Sequence, residues 1–156
     1  MADAVLIWGA GAIGASIGAA LVPSGVAVTL VDTDRDHVLA MRSTDRGLVI
    51  QGGSFAFQAA VDARLPDELS GRWRVVLLCV KSQHTADAVT RLRPFLADDG
   101  FVVALQNGLT ELTIEAAIGR DATIGGFVNF GADRLEPGRI AFGNHGAMAV
   151  GELDGA

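Results

Sequence analysis

The sequence predicts an α/β protein, a doubly wound and mostly parallel sheet that closes in a C-terminal antiparallel meander. Three observations predict it. Apolar runs at residues 4–8, 26–31, 74–80, 101–105 and 123–130 have the unbroken hydrophobicity of strands covered on both faces. Stretches with helical spacing of apolar residues lie between several of them, which is how parallel strands must be connected. Ser24-Gly25, Asp98-Asp99-Gly100, Gly119, Pro137-Gly138 and Asn144-His145-Gly146 fall at joints between segments, where turns are needed.

Residues 4–8 end at Gly9, and a helix follows with Ile13, Ile17, Ala20 and Leu21 on one face. Ser24-Gly25 stops it, and Val26–Val31 form the second strand. Val38, Leu39 and Met41 mark a short helix after the acidic turn Asp32–Asp36. Gly47–Gln51 and Phe55–Ala63 are β-prone segments joined by Gly52-Gly53-Ser54, a hairpin or paired loop. Arg74–Val80 is the most hydrophobic run and is expected at the sheet centre. An amphipathic helix over Thr85–Leu96 presents Ala86, Val89, Leu92, Phe95 and Leu96 on one side and Asp87 with Arg91 on the other. Asp98-Asp99-Gly100 turns the chain into the strand Phe101–Leu105, and a helix at Glu111–Ile118 ends at Gly119 before the strand Thr123–Phe130. Pro137-Gly138 and Asn144-His145-Gly146 punctuate the final meander, Arg139–Phe142 and Ala147–Val150.

Composition excludes several functions. Eighteen acids against twelve bases give a net charge of −6 with no basic block, so phosphate-driven nucleic-acid binding is not expected. The single cysteine, Cys79, forms no intramolecular disulfide or cysteine-based zinc cluster and fits a reducing, cytoplasmic setting. His37, His84 and His145 have no metal-ligand spacing. Residues 4–31 carry no charge, but Gly9, Gly11, Gly14, Gly18, Pro23 and Gly25 interrupt them, which argues against a membrane span. The 156 residues read as one dinucleotide-binding domain spanning 1–156.

The chemistry begins at Gly9-Ala10-Gly11-Ala12-Ile13-Gly14, a G-x-G-x-x-G pattern in its required context of strand, loop and helix. Gly9 permits the tight turn, Gly11 leaves room for a pyrophosphate against the backbone, and Gly14 lets the helix approach the sheet. The pattern makes the fold Rossmann-type and the expected ligand a nicotinamide or related dinucleotide, held by Gly9, Ala10, Gly11, Ala12, Ile13 and Gly14. Asp32, 23 positions after Gly9, is placed to accept from the adenosine ribose hydroxyls, which favours NAD over NADP. Asp32 can also be a cap or turn acid, and Arg35 leaves room for a 2′-phosphate contact. Lys81 stands at the carboxyl end of the central strand, where open α/β sheets bind ligands; a solvated strand-ending lysine is the bland alternative. Asn107 follows the next strand in Gln106-Asn107-Gly108, either a simple turn or an amide that grips ribose, nicotinamide or substrate. Asn129 and Gly131 close a further strand near the same edge, and His84 reads as a surface residue of a helix's first turn.

Taken in order, Gly9–Gly14, Val80-Lys81-Ser82-Gln83-His84-Thr85, Leu105-Gln106-Asn107-Gly108-Leu109, Glu136-Pro137-Gly138-Arg139-Ile140-Ala141-Phe142-Gly143 and Val150-Gly151-Glu152-Leu153-Asp154-Gly155 resemble the ketopantoate reductase family, the 2-dehydropantoate 2-reductases. The resemblance implies NADPH-dependent reduction of 2-dehydropantoate, a 2-keto acid, to pantoate, for pantothenate synthesis. It implies that Lys81 and Asn107 contact cofactor and substrate, and that Gly131 lies near the nicotinamide. It also implies a second, mostly helical domain carrying the general-acid lysine. Asp32-Thr33 stands where that family usually carries a basic residue for the 2′-phosphate. The expectation is therefore an NAD(P)-binding domain, inactive by itself, that self-associates or docks to a helical second domain. Two readings stay open beside it: another two-domain hydroxyacid dehydrogenase, and a non-catalytic dinucleotide-sensing module.

Overall fold

The computed structural model describes residues 4–53 and 55–155. Among these residues the strands and α-helices follow in chain order: β1 (Val5–Trp8), α1 (Ala12–Leu21), β2 (Val28–Val31), α2 (Arg35–Arg42), β3 (Leu48–Gln51), β4 (Phe57–Ala59), β5 (Asp62–Arg64), β6 (Trp73–Leu78), α3 (Thr85–Leu92), β7 (Leu96–Ala104), α4 (Glu111–Ile118), β8 (Thr123–Val128), β9 (Ala132–Glu136), β10 (Arg139–Phe142) and β11 (Met148–Glu152). They form a seven-stranded sheet of order β11-β8-β7-β6-β1-β2-β5 and a four-stranded sheet of order β4-β3-β10-β9. All neighbours in the larger sheet are parallel except β11, which runs antiparallel to β8. Among the described residues, no helix is long and apolar enough to cross a membrane.

Strand alternation builds two cores, one on each face of the large sheet. Leu6, Trp8, Val76, Leu78, Val102 and Ala104 face one side, where Ala88, Val89 and Leu92 of α3 and Ile114 of α4 cover them. Ile7, Leu30, Val103 and Leu105 face the other, joined by Ile17 of α1, Val38 and Met41 of α2, and Leu48, Ile50 and Ile140 of the small sheet. The chain therefore stacks as α3 and α4, large sheet, α1, small sheet.

That stacking corrects the reading of α1. Its buried residues are Gly14 to Ala19, and Ala20 is exposed. The helix touches β1 and β2 on one side and β3, β9 and β10 on the other, so it is covered almost all round and made of small residues. A side chain at Gly18 would stand 2.8 Å from Leu30 Cδ2.

Other differences have similar causes. Phe55–Ala63 is not one segment: β4 pairs antiparallel with β3 in the small sheet, whereas β5 pairs parallel with β2 in the large one. The expected hairpin across Gly52-Gly53 exists, although Ser54 lies outside the described residues. Asp98-Asp99-Gly100 falls inside β7 as an irregularity, since Trp73 pairs with Leu96 but Val75 with Phe101, and Arg74 Nε donates to Asp99 at 3.1 Å. Ala86 of α3 is exposed, with Thr85, Ala88, Val89 and Leu92 forming the buried face. The last two strands do pair antiparallel, but not with each other. β10 forms a hairpin with β9 through Pro137-Gly138 and lies parallel to β3, while β11 closes the large sheet.

Candidate functional site

Strand order reverses between β1 and β6, and the crevice above the carboxyl ends of such a pair is where open α/β sheets bind ligands. Gly9 leaves β1 with φ 98°, a left-handed conformation, and a Cβ there would sit 2.6 Å from Val80 N. Gly9 N–H and Ala10 N–H both donate to the Val31 carbonyl, at 2.8 and 3.0 Å, which ties the loop to the end of β2. A Cβ at Gly14 would collide with the Gly9 carbonyl oxygen and come within 3.1 Å of Cys79 Cβ and Ile7 Cγ2. A Cβ at Gly11, by contrast, would meet nothing within 4 Å. Gly11 is also the N-cap of the ten-residue α1, which begins with no side-chain cap and no acid in its first turn. The positive end of the helix and its unpaired N–H groups therefore face open space.

That space is a groove of about 510 Å³ whose lining includes Gly9, Gly11, Ala12, Ile13, Asp32 and Lys81. At its far end Asp32 Oδ1 accepts from Asp34 N–H at 3.0 Å. The helix cap itself is Asp34, whose Oδ1 accepts from His37 N–H at 3.2 Å. That backbone bond and the Arg134 guanidinium, 3.0 Å from Asp34 Oδ2, hold the Asp34 carboxyl below its ordinary value of 3.8 against desolvation. The arginines lining this end are Arg91 and Arg134, not Arg35, which is exposed outside the groove. Each is paired with a carboxylate: Arg134 with Asp34, and Arg91 with Asp87 at 3.9 Å.

At the other end the groove continues into a cavity of about 270 Å³, which shares Ile13, Cys79, Val80 and Lys81 with it and adds Gln106, Asn107 and Phe130. Lys81 and Asn107 are both exposed there. Gly131 lines neither space itself, but connects Phe130 of the cavity to Ala132 of the groove. His84 is exposed on the groove wall, and Asn129 is exposed with its N–H donating to the Ala147 carbonyl. Cys79 lines both spaces, but burial pushes its thiol up to about 12, so it is no thiolate nucleophile near neutral pH.

Residues 5–155 match the family model described as Ketopantoate reductase PanE/ApbA. This chain belongs to that family. A 2-dehydropantoate 2-reductase of Pyrococcus horikoshii is 32% identical over 149 residues, covering 94% of this chain and 46% of the relative. A PanE/ApbA family ketopantoate reductase of Ralstonia eutropha superposes with a TM-score of 0.84 at 31% identity, over 94% of this chain and 48% of that one. A D-mandelate dehydrogenase solved with NADH and anilino(oxo)acetate shares the fold, with a TM-score of 0.82 at 24% identity over 94% of this chain and 46% of that one. The chain spans about half the length of the curated reductases it matches.

Within this family member two residues matter that sequence reasoning passed over. Gln106, nearly buried, donates through Nε2 to the Val80 carbonyl and to Thr85 Oγ1, both at 2.8 Å, and Thr85 Oγ1 donates in turn to the Ser82 carbonyl. These bonds brace the segment that carries Lys81. Gln106 Oε1 remains buried without a partner. His37, fully buried, bridges the glycine loop and the β9–β10 turn. Its histidine character held no metal or catalytic spacing, and its bond to Gly138 spans 101 residues, beyond any local pattern.

Proposed function

We propose that this chain is the nicotinamide-dinucleotide domain of a 2-keto acid reductase, with 2-dehydropantoate the first substrate to test. One observation carries the reading: a groove runs from Asp32, past the uncapped start of α1, to Lys81, where it adjoins a cavity lined by Gln106 and Asn107 at the strand ends beyond the switch point. The open space over Gly11 fits a pyrophosphate, because nothing of the protein occupies it and the N–H groups of the first turn face it. Gly9 and Gly14 make that approach possible by letting loop, helix and sheet close up behind it. Ala12 and Ile13 complete the contact surface, Ala10 is wholly buried behind it, and Asp32 accepts from the ribose hydroxyls.

A reduced nicotinamide, when bound, supplies the hydride for the keto carbon. The chain's own groups bind and orient. The Lys81 ammonium draws the anionic keto acid to the strand ends, and the Asn107 amide, donor and acceptor at once, aligns carboxamide or keto oxygen. Gly131 leaves space beside the ring. Protonation of the keto oxygen is assigned to a lysine of a helical second domain, as the family resemblance implies. That domain would dock near Met148 and Val150, exposed apolar side chains on one face of the edge strand β11. A reducing, cytoplasmic setting fits the lone Cys79.

NADH is the preferred cofactor on this reading. Asp32 opposes a 2′-phosphate, and both arginines lining this end already have a carboxylate partner, Asp34 for Arg134 and Asp87 for Arg91. Titration calorimetry with each cofactor tests the proposal. A one-to-one isotherm with NADH at least about tenfold tighter than NADPH, a gap of ~1.4 kcal/mol, is expected. Binding of neither overturns the dinucleotide reading, and tighter NADPH overturns the role given to Asp32 alone.

A further inference from the structure

His37 makes two side-chain hydrogen bonds and is wholly shielded from solvent. Gly138 N–H can only donate, so His37 Nδ1, 2.9 Å away, is its acceptor and carries no proton. The Ala10 carbonyl can only accept, so His37 Nε2, 2.7 Å away, carries the proton and donates. The two partners thus specify a neutral imidazole in a single tautomer.

The carbonyl that receives this bond belongs to the Ala10–Gly11 peptide. A trans peptide is planar, with its C=O and N–H pointing in opposite directions. Holding the Ala10 carbonyl toward buried His37 therefore turns the Gly11 N–H away from the core, and Gly11 lines the groove. The preceding donors, Gly9 N–H and Ala10 N–H, are spent on Val31. No side chain caps this end of α1, so nothing from a cap sets that peptide plane. His37 itself is held firmly: its own N–H is bonded to the cap Asp34, and Gly138 is buried against α2, where a Cβ would lie 2.9 Å from Ala40 Cβ.

We infer that His37 is a positioning residue for phosphate binding, locked by the β9–β10 turn and aiming the Gly11 N–H into the groove through the Ala10 carbonyl. The inference rests on the dinucleotide reading above and adds to it a device through which the small sheet supports the site. Two near-isosteric substitutions divide its bonds. In His37→Gln the terminal amide nitrogen reaches the place of Nε2 and keeps the donor to Ala10, while the acceptor for Gly138 is lost. In His37→Asn the amide oxygen takes the place of Nδ1 and keeps the acceptor, while the donor is lost.

The experiment measures urea unfolding, NADH affinity by fluorescence titration, and crystal structures for wild type, H37Q and H37N. H37Q is expected to hold NADH within about threefold of wild type and H37N to lose at least about tenfold, with the two variants equally destabilised. His37→Leu fills the volume with neither bond and is expected to bind like H37N, which keeps the comparison should the asparagine variant not fold. Wild-type affinity in H37N or H37L, or a loss that merely follows stability in all variants, overturns the inference. If wild type itself binds no NADH, the dinucleotide reading falls. The crystal structures still decide the geometry: a rotated Ala10–Gly11 peptide in H37N but not in H37Q supports it, and an unmoved peptide in both overturns it.

Discussion

Gly11 and Gly14 lie three residues apart in one motif, yet the structure gives them opposite burdens, and a pair of substitutions separates binding from folding. Gly11 has φ −65° and ψ −162°, a conformation open to any residue, and a Cβ there touches nothing. Gly11→Val costs up to about 1 kcal/mol as a poorer helix cap. The lower entropy of the unfolded chain offsets about 0.4–1 kcal/mol of that. Net stability should stay within about 1 kcal/mol of wild type. The isopropyl group, however, projects into the space proposed for the pyrophosphate. NADH affinity should fall at least about a hundredfold, ~2.7 kcal/mol. Gly14→Ala behaves the other way. Its methyl meets the Gly9 carbonyl, a backbone atom, and presses on Cys79 and Ile7 at 3.1 Å. Overpacking against backbone sits at the upper end of the usual range, about 3 kcal/mol. For a chain of this size that lowers Tm by roughly 6–12 °C. Thermal unfolding by circular dichroism and NADH fluorescence titration on the same samples provide both readouts. Normal NADH binding by a folded Gly11→Val protein would refute the reasoning, because the loop would then not be the phosphate site.

Three further substitutions probe the groove. Asp32→Ala should narrow the preference for NADH over NADPH by about tenfold, read by parallel titrations; an unchanged ratio removes Asp32 from cofactor choice. Asp34 has its carboxyl lowered by the His37 N–H and by Arg134, so its stabilisation is present above its ordinary value of 3.8 and is lost as pH falls through the lowered one. The stability gap between wild type and Asp34→Asn should accordingly be open at pH 7 and close as pH falls below 3.8 through the lowered value in urea titrations, whereas a pH-independent gap refutes the ion-pair contribution. Gln106→Leu strips the Val80 carbonyl and Thr85 of their donor and should cost about 1–3 kcal/mol in urea unfolding while weakening NADH binding through the Lys81 segment; a neutral result means those bonds do not brace it.

The parts of the fold that were legible in the sequence are those whose signal is local. β1, α1 and the glycine loop announce themselves because an apolar run, a turn requiring Gly9 at φ 98° and a small-residue helix adjoin one another. β6 was readable as central because its run is apolar almost throughout, and it lies fourth of seven strands between β7 and β1. β9 was not expected, since four of the five residues in Ala132–Glu136 are exposed and carry no alternation; it forms because the Pro137-Gly138 turn folds it onto β10. β5 was merged with β4 because membership of two different sheets is decided by partners far away in the chain, β2 and β3. The site divides likewise. Gly9–Gly14, Asp32, Lys81 and Asn107 follow from strand-end positions; Gly9, Gly11, Ala12, Ile13, Asp32, Lys81 and Asn107 line one groove and its adjoining cavity, while Ala10 and Gly14 are buried behind them. Arg91, Arg134 and His37 join the same region only through tertiary packing, and Gln106 was hidden by its neighbour Asn107 because its two bonds reach back 26 and 21 residues.

The central claim is that the groove between Asp32 and Asn107 holds a nicotinamide dinucleotide across the start of α1. A crystal structure of the chain grown with NADH tests it most directly. The account predicts pyrophosphate oxygens within hydrogen-bond distance of the Gly11 and Ala12 N–H groups, ribose hydroxyls on Asp32, and the nicotinamide among Lys81, Gln106 and Asn107. Density for the dinucleotide elsewhere on the protein, with the Gly11 groove empty at saturating NADH, would contradict it.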